Sequence, residues 1–137
     1  MLEVRKAQKK DFKAVKTLAE TFNLDSEDMR IEEFKVAAEG DVILGVGRLK
    51  PAGKVLELCS LGVVQHKQKE GIGKLLVKSL LRSAKKDVYL ATIIPGYFKQ
   101  FGFKALDFTP EFMKKKEDWC EGCHPERCTI MKWEYRA

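Results

Sequence analysis

The stretch from Glu57 to Lys74 constrains this chain most. A strand-like run, Glu57-Leu58-Cys59-Ser60-Leu61-Gly62-Val63-Val64, passes into a polar loop containing His66. Two glycines one residue apart, Gly71 and Gly73, then open a segment with apolar residues at helical spacing. A strand feeding a helix through a glycine turn is an anion site in outline. The first-turn amides of a helix have no internal acceptor, and the dipole is positive there. Glycine lets backbone approach a phosphate closely, and Lys69 and Lys74 add charge on either side. A plain strand-to-helix turn with no ligand has the same two glycines. Two other phosphate motifs are excluded. A Walker loop needs Ser or Thr after its Gly-Lys, and Leu75 stands there. A dinucleotide fingerprint needs a third glycine where Leu76 stands.

Periodicity along the rest predicts a mixed α/β sheet with an antiparallel first half and a strand-helix-strand unit in the middle. Leu2 to Arg5 alternates as a first strand. Asp11 caps a helix to about Phe22, with Phe12, Val15, Leu18, Ala19 and Phe22 on one face and Asn23 closing it. Ser26 to Glu33 suits a second short helix. Strands Phe34–Ala38, Val42–Leu49 and Val55–Val64 form a meander turning at Gly40-Asp41 and at Pro51-Ala52-Gly53. A helix from about Gly71 to Lys86 buries Ile72, Leu75, Leu76, Leu80 and Ala84, with Lys85 and Lys86 in its last turn. Val88–Ile94 is continuously apolar, the pattern of a strand covered on both faces. A short helix Pro95–Phe101 ends at Gly102, Phe103–Leu106 is a strand, Thr109-Pro110 starts another helical stretch, and Cys128–Tyr135 is the last strand.

Length and composition bound the reading. At 137 residues with 45% hydrophobic and 34% charged residues, the chain suits one globular domain, 1–137, and not global disorder. No segment approaches the ~20 apolar residues of a membrane helix, and the charged start, Glu3-Val4-Arg5-Lys6, is unlike a signal peptide. The expectation is a cytoplasmic protein with no membrane partner. Net charge is +6, which fits an anionic ligand, nucleic acid or simple solubility. The basic residues are scattered along the sequence, Lys114-Lys115-Lys116 being the one run of three.

Gln68-Lys69-Glu70-Gly71-Ile72-Gly73 is a Q-x-x-G-x-G motif. With it, the element order, the strand Glu57–Val64 and the segment Tyr97-Phe98-Lys99-Gln100-Phe101-Gly102-Phe103 resemble the GNAT (Gcn5-related) N-acetyltransferase family over nearly the whole chain. The tail from Asp118 to Met131 resembles the ends of small arginine-biosynthesis-type acetyltransferases. The resemblance implies an α/β (α+β) fold with a mixed, mostly antiparallel sheet of about six or seven strands and helices on both faces. It implies acetyl-CoA as donor and an amine as acceptor. Gln68, Lys69, Glu70, Gly71, Ile72 and Gly73 would wrap the pyrophosphate, with Lys74 beside them. Leu61, Gly62 and Val63 would pair with the pantetheine, the Leu61 amide facing the thioester oxygen.

Glu57 stands where some family members carry a glutamate base; the alternative is an exposed residue on the solvent side of an alternating strand. His66 is expected to be a loop residue without a role. Many family members protonate the leaving thiolate with a tyrosine in the short helix. Here Tyr97 and Phe98 are inverted, so Tyr97 is a candidate acid displaced by about 100° of helical turn. Phe98 takes the family's tyrosine position and is expected, with Phe101 and Phe103, as core or pantetheine wall.

Cys120, Cys123 and Cys128, with His124, offer soft ligands, but a second ligand knuckle for zinc is missing. Zinc is possible and not favoured; a disulfide and packed thiols are the rivals. Cys59 reads as a small buried residue. The expected activity is N-acetylation of an amino acid or other small amine by direct attack in a ternary complex. The alternatives are a non-catalytic acetyl-CoA sensor and a protein N-acetyltransferase. Nucleic acid is disfavoured as a partner, because the aromatics do not interleave with Lys and Arg. The apolar last strand, Ile130-Met131-Trp133, suggests pairing into a homodimer.

Overall fold

The structure is a computed structural model that describes residues 2–21, 30–64, 71–108, 110 and 129–136. Its elements are β1 (Leu2–Lys6), α1 (Phe12–Thr21), β2 (Phe34–Glu39), β3 (Val42–Ala52), β4 (Val55–Val63), α2 (Ile72–Ser83), β5 (Val88–Thr92), α3 (Pro95–Lys99), β6 (Lys104–Ala105) and β7 (Thr129–Trp133). Short 3-10 turns at Lys9–Asp11 and Ile31–Glu33 precede α1 and β2. The strand order is β1-β2-β3-β4-β5-β7-β6. Antiparallel pairing dominates, and β4 with β5 is parallel. Contacts divide the chain into two compact units, 1–50 with 58–83 and 51–57 with 84–137.

In the first unit the sheet has a helix on each face. Val15 of α1 packs with Phe34, Val36 and Val46 on one side. Ile72 and Leu76 of α2 pack with Ala37 and Leu44 on the other, joined by Leu2, Val4, Leu61, Val63 and Val64. The β2–β3 register slips between Ala37, which faces Gly45, and Ala38, which faces Ile43, leaving Leu44 as the extra bulged residue. Two glycines of β3 let α2 lie close. A methyl at Gly45 would meet Leu76 Cδ1 at 3.0 Å, Ile72 Cγ2 at 3.2 Å and the Gly62 carbonyl oxygen at 3.2 Å; one at Gly47 would meet Leu80 Cδ1 at 2.7 Å.

Arg48 is the largest fully buried side chain, at 0% exposure. Its Nε and Nη2 donate to the same Glu33 oxygen at 2.8 and 2.7 Å, and its guanidinium lies 5.3 Å from the Phe34 ring centroid. Asp11 serves the start of α1 differently from a simple cap. Its carboxylate accepts from the Gln8 amide at 2.8 Å and from both terminal nitrogens of Arg5, at 2.7 and 3.2 Å. The Arg5 hydrogen bonds are the main cause holding the Asp11 carboxyl below its ordinary value, against burial, which raises it. A depressed folded pKa contributes stability that is complete above the unfolded value, about 3.9, and is lost as pH falls through the folded value. Asp11→Asn is therefore expected to cost about 1–3 kcal/mol near neutrality, and the gap from the parent should close in urea titrations run at successively lower pH through the acid range.

In the second unit β5 pairs with β4 through Leu56↔Val88 and Glu57↔Tyr89, and with β7 from Val88↔Trp133 to Thr92↔Thr129. Val88, Leu90, Phe103 and Met131 form buried positions. Asp87 ties the ends together: its carbonyl accepts from the Leu56 amide at 2.8 Å, and its carboxylate accepts from the Tyr135 amide at 2.9 Å and lies 3.5 Å from Lys132 Nζ.

Several expectations are corrected. The turn of the second hairpin is at Gly53-Lys54, and β3 continues through Pro51 and Ala52, near the strand end where proline is tolerated. Helix α2 ends at Ser83, so Arg82 and not Lys85 or Lys86 occupies its last turn. Leu75 is 46% exposed, because Val77 and Leu81 complete the buried face instead. Strand β5 stops at Thr92, and Ala91 is exposed, so the strand is not covered on both faces. Phe12 is exposed. Strand β7 is paired on both sides at Met131 and Lys132, by β5 and by β6, so a second copy cannot add there. Of the proposed helix Ser26–Glu33, residues 30–33 are described, and they hold the 3-10 turn Ile31–Glu33. The helical stretch after Pro110 lies outside the described residues.

Candidate functional site

The glycine turn is built as the sequence predicts on its described side. Gly71 has φ +78, a conformation side chains with a Cβ adopt at a cost, and its carbonyl accepts the first helical bond, from the Leu75 amide at 3.1 Å. The amides of Ile72, Gly73 and Lys74 precede that bond, as first-turn donors. Ile72 is buried and nails the turn to the core, while Lys74 is exposed and no acidic residue stands in the first turn. A positive dipole end whose first helical turn carries no acid is a donor set that suits a pyrophosphate. Gln68, Lys69, Glu70 and His66 lie outside the described residues.

The end of β4 is held from beneath. Leu61 and Val63 pack on the α2 side of the first unit, and the Val64 amide donates to the Leu44 carbonyl at 2.8 Å. Gly62 keeps its carbonyl close to Gly45, where any Cβ would crowd it.

Glu57 is not on the solvent side. It is 5% exposed, stands opposite Tyr89 in the parallel register, and is engaged with other groups. Buried carboxylates are uncommon unless partnered, and they are where proton-transfer groups are found. Cys59 is half-buried.

Helix α3 carries an aromatic cluster. Tyr97 meets Phe98 edge-on at 5.1 Å and Phe101 at 5.4 Å, and Phe98 meets Phe103 at 5.9 Å. Phe98, 7% exposed, is core. Tyr97 is half-buried, and burial pushes its phenol above the ordinary value, so it keeps its proton through neutral pH. Thr92, Ile93 and Ile94 belong to the apolar run Val88–Ile94 and carry no site signal in the sequence. Buried Thr92 accepts the Ile94 amide on its Oγ1 at 3.0 Å, shaping the turn into α3. Ile93 and Ile94 are 65% and 55% exposed, a bare apolar pair just before Tyr97. A cavity of about 290 Å³ lined by Gly102, Lys104, Lys132, Trp133, Glu134 and Arg136 contains none of the expected site residues. Cys120, Cys123, His124 and Cys128 lie outside the described residues.

The model of the acetyltransferase (GNAT) family matches residues 1–103, well over half of the chain. The chain belongs to the GNAT family. No curated protein matches this GNAT chain. Solved structures do. Rv2747 from Mycobacterium tuberculosis, in complex with CoA and NLQ, is 21% identical, with a TM-score of 0.76 and coverage of 98% of this chain and 99% of that one. N-acetylglutamate synthase from Neisseria gonorrhoeae, complexed with coenzyme A and N-acetyl-glutamate, is 18% identical with a TM-score of 0.76; the match takes in all of this chain (100%) but only 36% of the synthase. Arabidopsis thaliana Naa50, in complex with the bisubstrate analogue CoA-Ac-MVNAL, is 17% identical with a TM-score of 0.67, covering 98% and 99%. At these identities the likeness establishes the GNAT fold: a mixed, mostly antiparallel sheet with helices.

Proposed function

We propose that this GNAT chain, as one domain over 1–137, is a cytoplasmic N-acetyltransferase that moves the acetyl group of acetyl-CoA to a primary amine by direct attack in a ternary complex. The observation that carries this reading is the left-handed Gly71 opening a core-anchored helix whose first turn holds no acid. Gln68 to Gly73 would hold the pyrophosphate with Lys74 beside them, and the Leu61 amide would donate to the thioester oxygen as charge develops there. Glu57, buried in β4, would take the proton of the attacking amine, directly or through a water. Tyr97 would hold a proton for the departing sulfur, and its raised phenol suits a donor at neutral pH.

The acceptor is an amino acid or other small amine on this reading. Among similar folds, one structure carries N-acetyl-glutamate and another a peptide-bearing analogue. Titration calorimetry with acetyl-CoA, then CoA-thiol release across a panel of amino acids, polyamines and peptides, tests the proposal. Micromolar binding with release for one amine class supports it and names the acceptor. Binding without release for any amine favours a sensor, and no binding removes the reading. Glu57→Gln is expected to lower turnover by about 10²–10⁴-fold with acetyl-CoA affinity unchanged, read by steady-state kinetics beside calorimetry. Parent-level turnover in that variant would remove Glu57 from the reaction.

A further inference from the structure

Five cations from separate stretches of the sequence, Lys6, Lys35, Lys74, Lys78 and Arg82, lie on one surface of the first unit. Along α2, Lys74, Lys78 and Arg82 recur every four residues and are exposed, and residues 72–83 include no Asp or Glu. That spacing keeps them on one helix face at steps of about 6 Å. Beside the helix, Lys6 of β1 stands directly opposite Lys35 of β2, so both side chains share a face of the sheet. It is the α2 face: Lys35 Nζ donates to the Ser79 carbonyl at 3.0 Å and to the Ser79 hydroxyl at 2.9 Å. Like charges directly opposed in a ladder destabilise it. The strain registers at Lys35, whose ammonium is pulled below its ordinary value first by burial and then by Lys6 and Arg82. Among the described residues, the charges acting on Lys35 are cations.

We infer that Lys6, Lys35, Lys78 and Arg82 form a docking surface for the phosphodiester backbone of double-stranded nucleic acid, bound without sequence preference. Charge without an apolar centre separates this occupant from the others. A protein partner calls for an apolar core to the interface, and the exposed apolar residue on α2 is Leu75, at the N-terminal end of the stripe. A single strand calls for stacking aromatics, and none of these positions or their neighbours on α2 is aromatic. Protein surfaces that meet duplexes are polar and strongly positive. Base stacking needs aromatics interleaved with the cations, and binding to a duplex backbone does not.

The test is fluorescence anisotropy of the full chain with a labelled 20-base-pair duplex of arbitrary sequence across a salt series, with no acetyl-CoA present. A plot of log affinity against log salt is expected to fall with a slope of about −3 to −4, near −0.9 for each phosphate neutralised. The double variant Lys35→Gln/Arg82→Gln should weaken binding about tenfold or more at low salt and reduce the slope by about two. Lys78→Gln, at an exposed position outside the core, should reduce it by about one with an unchanged melting temperature. Saturating acetyl-CoA should leave the duplex bound. The inference is overturned if the duplex does not bind at low salt, if the variants bind like the parent, if acetyl-CoA displaces the duplex (placing it at the Gly71 turn), or if polyglutamate competes better than unlabelled duplex. None of these readouts depends on acetyl transfer, so this surface and the proposed activity stand or fall separately.

Discussion

Gly71→Glu is expected to abolish acetyl-CoA binding in a chain that still folds. Two effects separate cleanly. The backbone at φ +78 disfavours any side chain with a Cβ, by about 1–2 kcal/mol. Nothing lies within 4 Å of a Cβ built there, so the substitution adds strain but no clash. The second effect is electrostatic. The carboxylate would sit beside the first-turn amides of α2, where the dipole that favours a phosphate favours this anion instead. An internal carboxylate occupies the donors and repels the pyrophosphate. Gly71→Asn is the matched comparison, since asparagine tolerates the left-handed region and carries no charge. Calorimetry should show measurable binding in the asparagine variant and none in the glutamate variant, with the glutamate variant still folded and melting a few degrees below the parent. If the glutamate variant binds acetyl-CoA like the parent, the helix start is not the phosphate site.

Arg48→Ala is expected to destabilise the fold by about 3–5 kcal/mol, a large part of the total for a domain of this size. Three losses coincide. The Glu33 carboxylate loses a partner that donates twice to one oxygen. The face of Phe34 loses the guanidinium above it. A cavity replaces the largest fully buried side chain among the described residues. Removing both charges should be milder than removing one, because much of the cost is the carboxylate left behind. Arg48→Met with Glu33→Gln is therefore expected to recover part of the stability lost in Arg48→Met alone, read by guanidinium unfolding of the two single variants and the double. A double variant destabilised by the sum of the two single effects would show that the pair has no net coupling.

The parts of the fold set by local pattern were legible from residues alone. The strand meander, the helix faces at Val15 and Ala19 and at Ile72, Leu76 and Leu80, and the helix start at the Gly71 turn follow from period and backbone chemistry. What was not legible depends on partners distant in sequence. Arg48 reads as a surface charge until Glu33, fifteen residues earlier, is brought to its guanidinium. Glu57 reads equally as base or solvent residue, because alternation along a strand says nothing about which side is covered; burial decides for the covered side. Leu75 was placed on the buried face because leucine at helical spacing suggests it, yet Val77 and Leu81 take that role in the structure. The opposed Lys6 and Lys35 belong to a register that no local window contains. For the candidate site, the helix start at Gly71 and the buried Phe98 were readable, whereas the burial of Glu57 needed tertiary context.

The bare backbone at Gly45 and Gly47 has a consequence for the turn at Gly71. Clearance between β3 and α2 is a hard stop, set where Ile72, Leu76 and Leu80 come to rest against strand with no methyl in the way. The start of α2 therefore takes its position from the sheet beneath it and not from the loop that leads into it. A single added methyl at Gly45 would lift the helix start off its datum and press on the Gly62 carbonyl at the same time. The core of this protein is, in that sense, the alignment jig for its own binding turn.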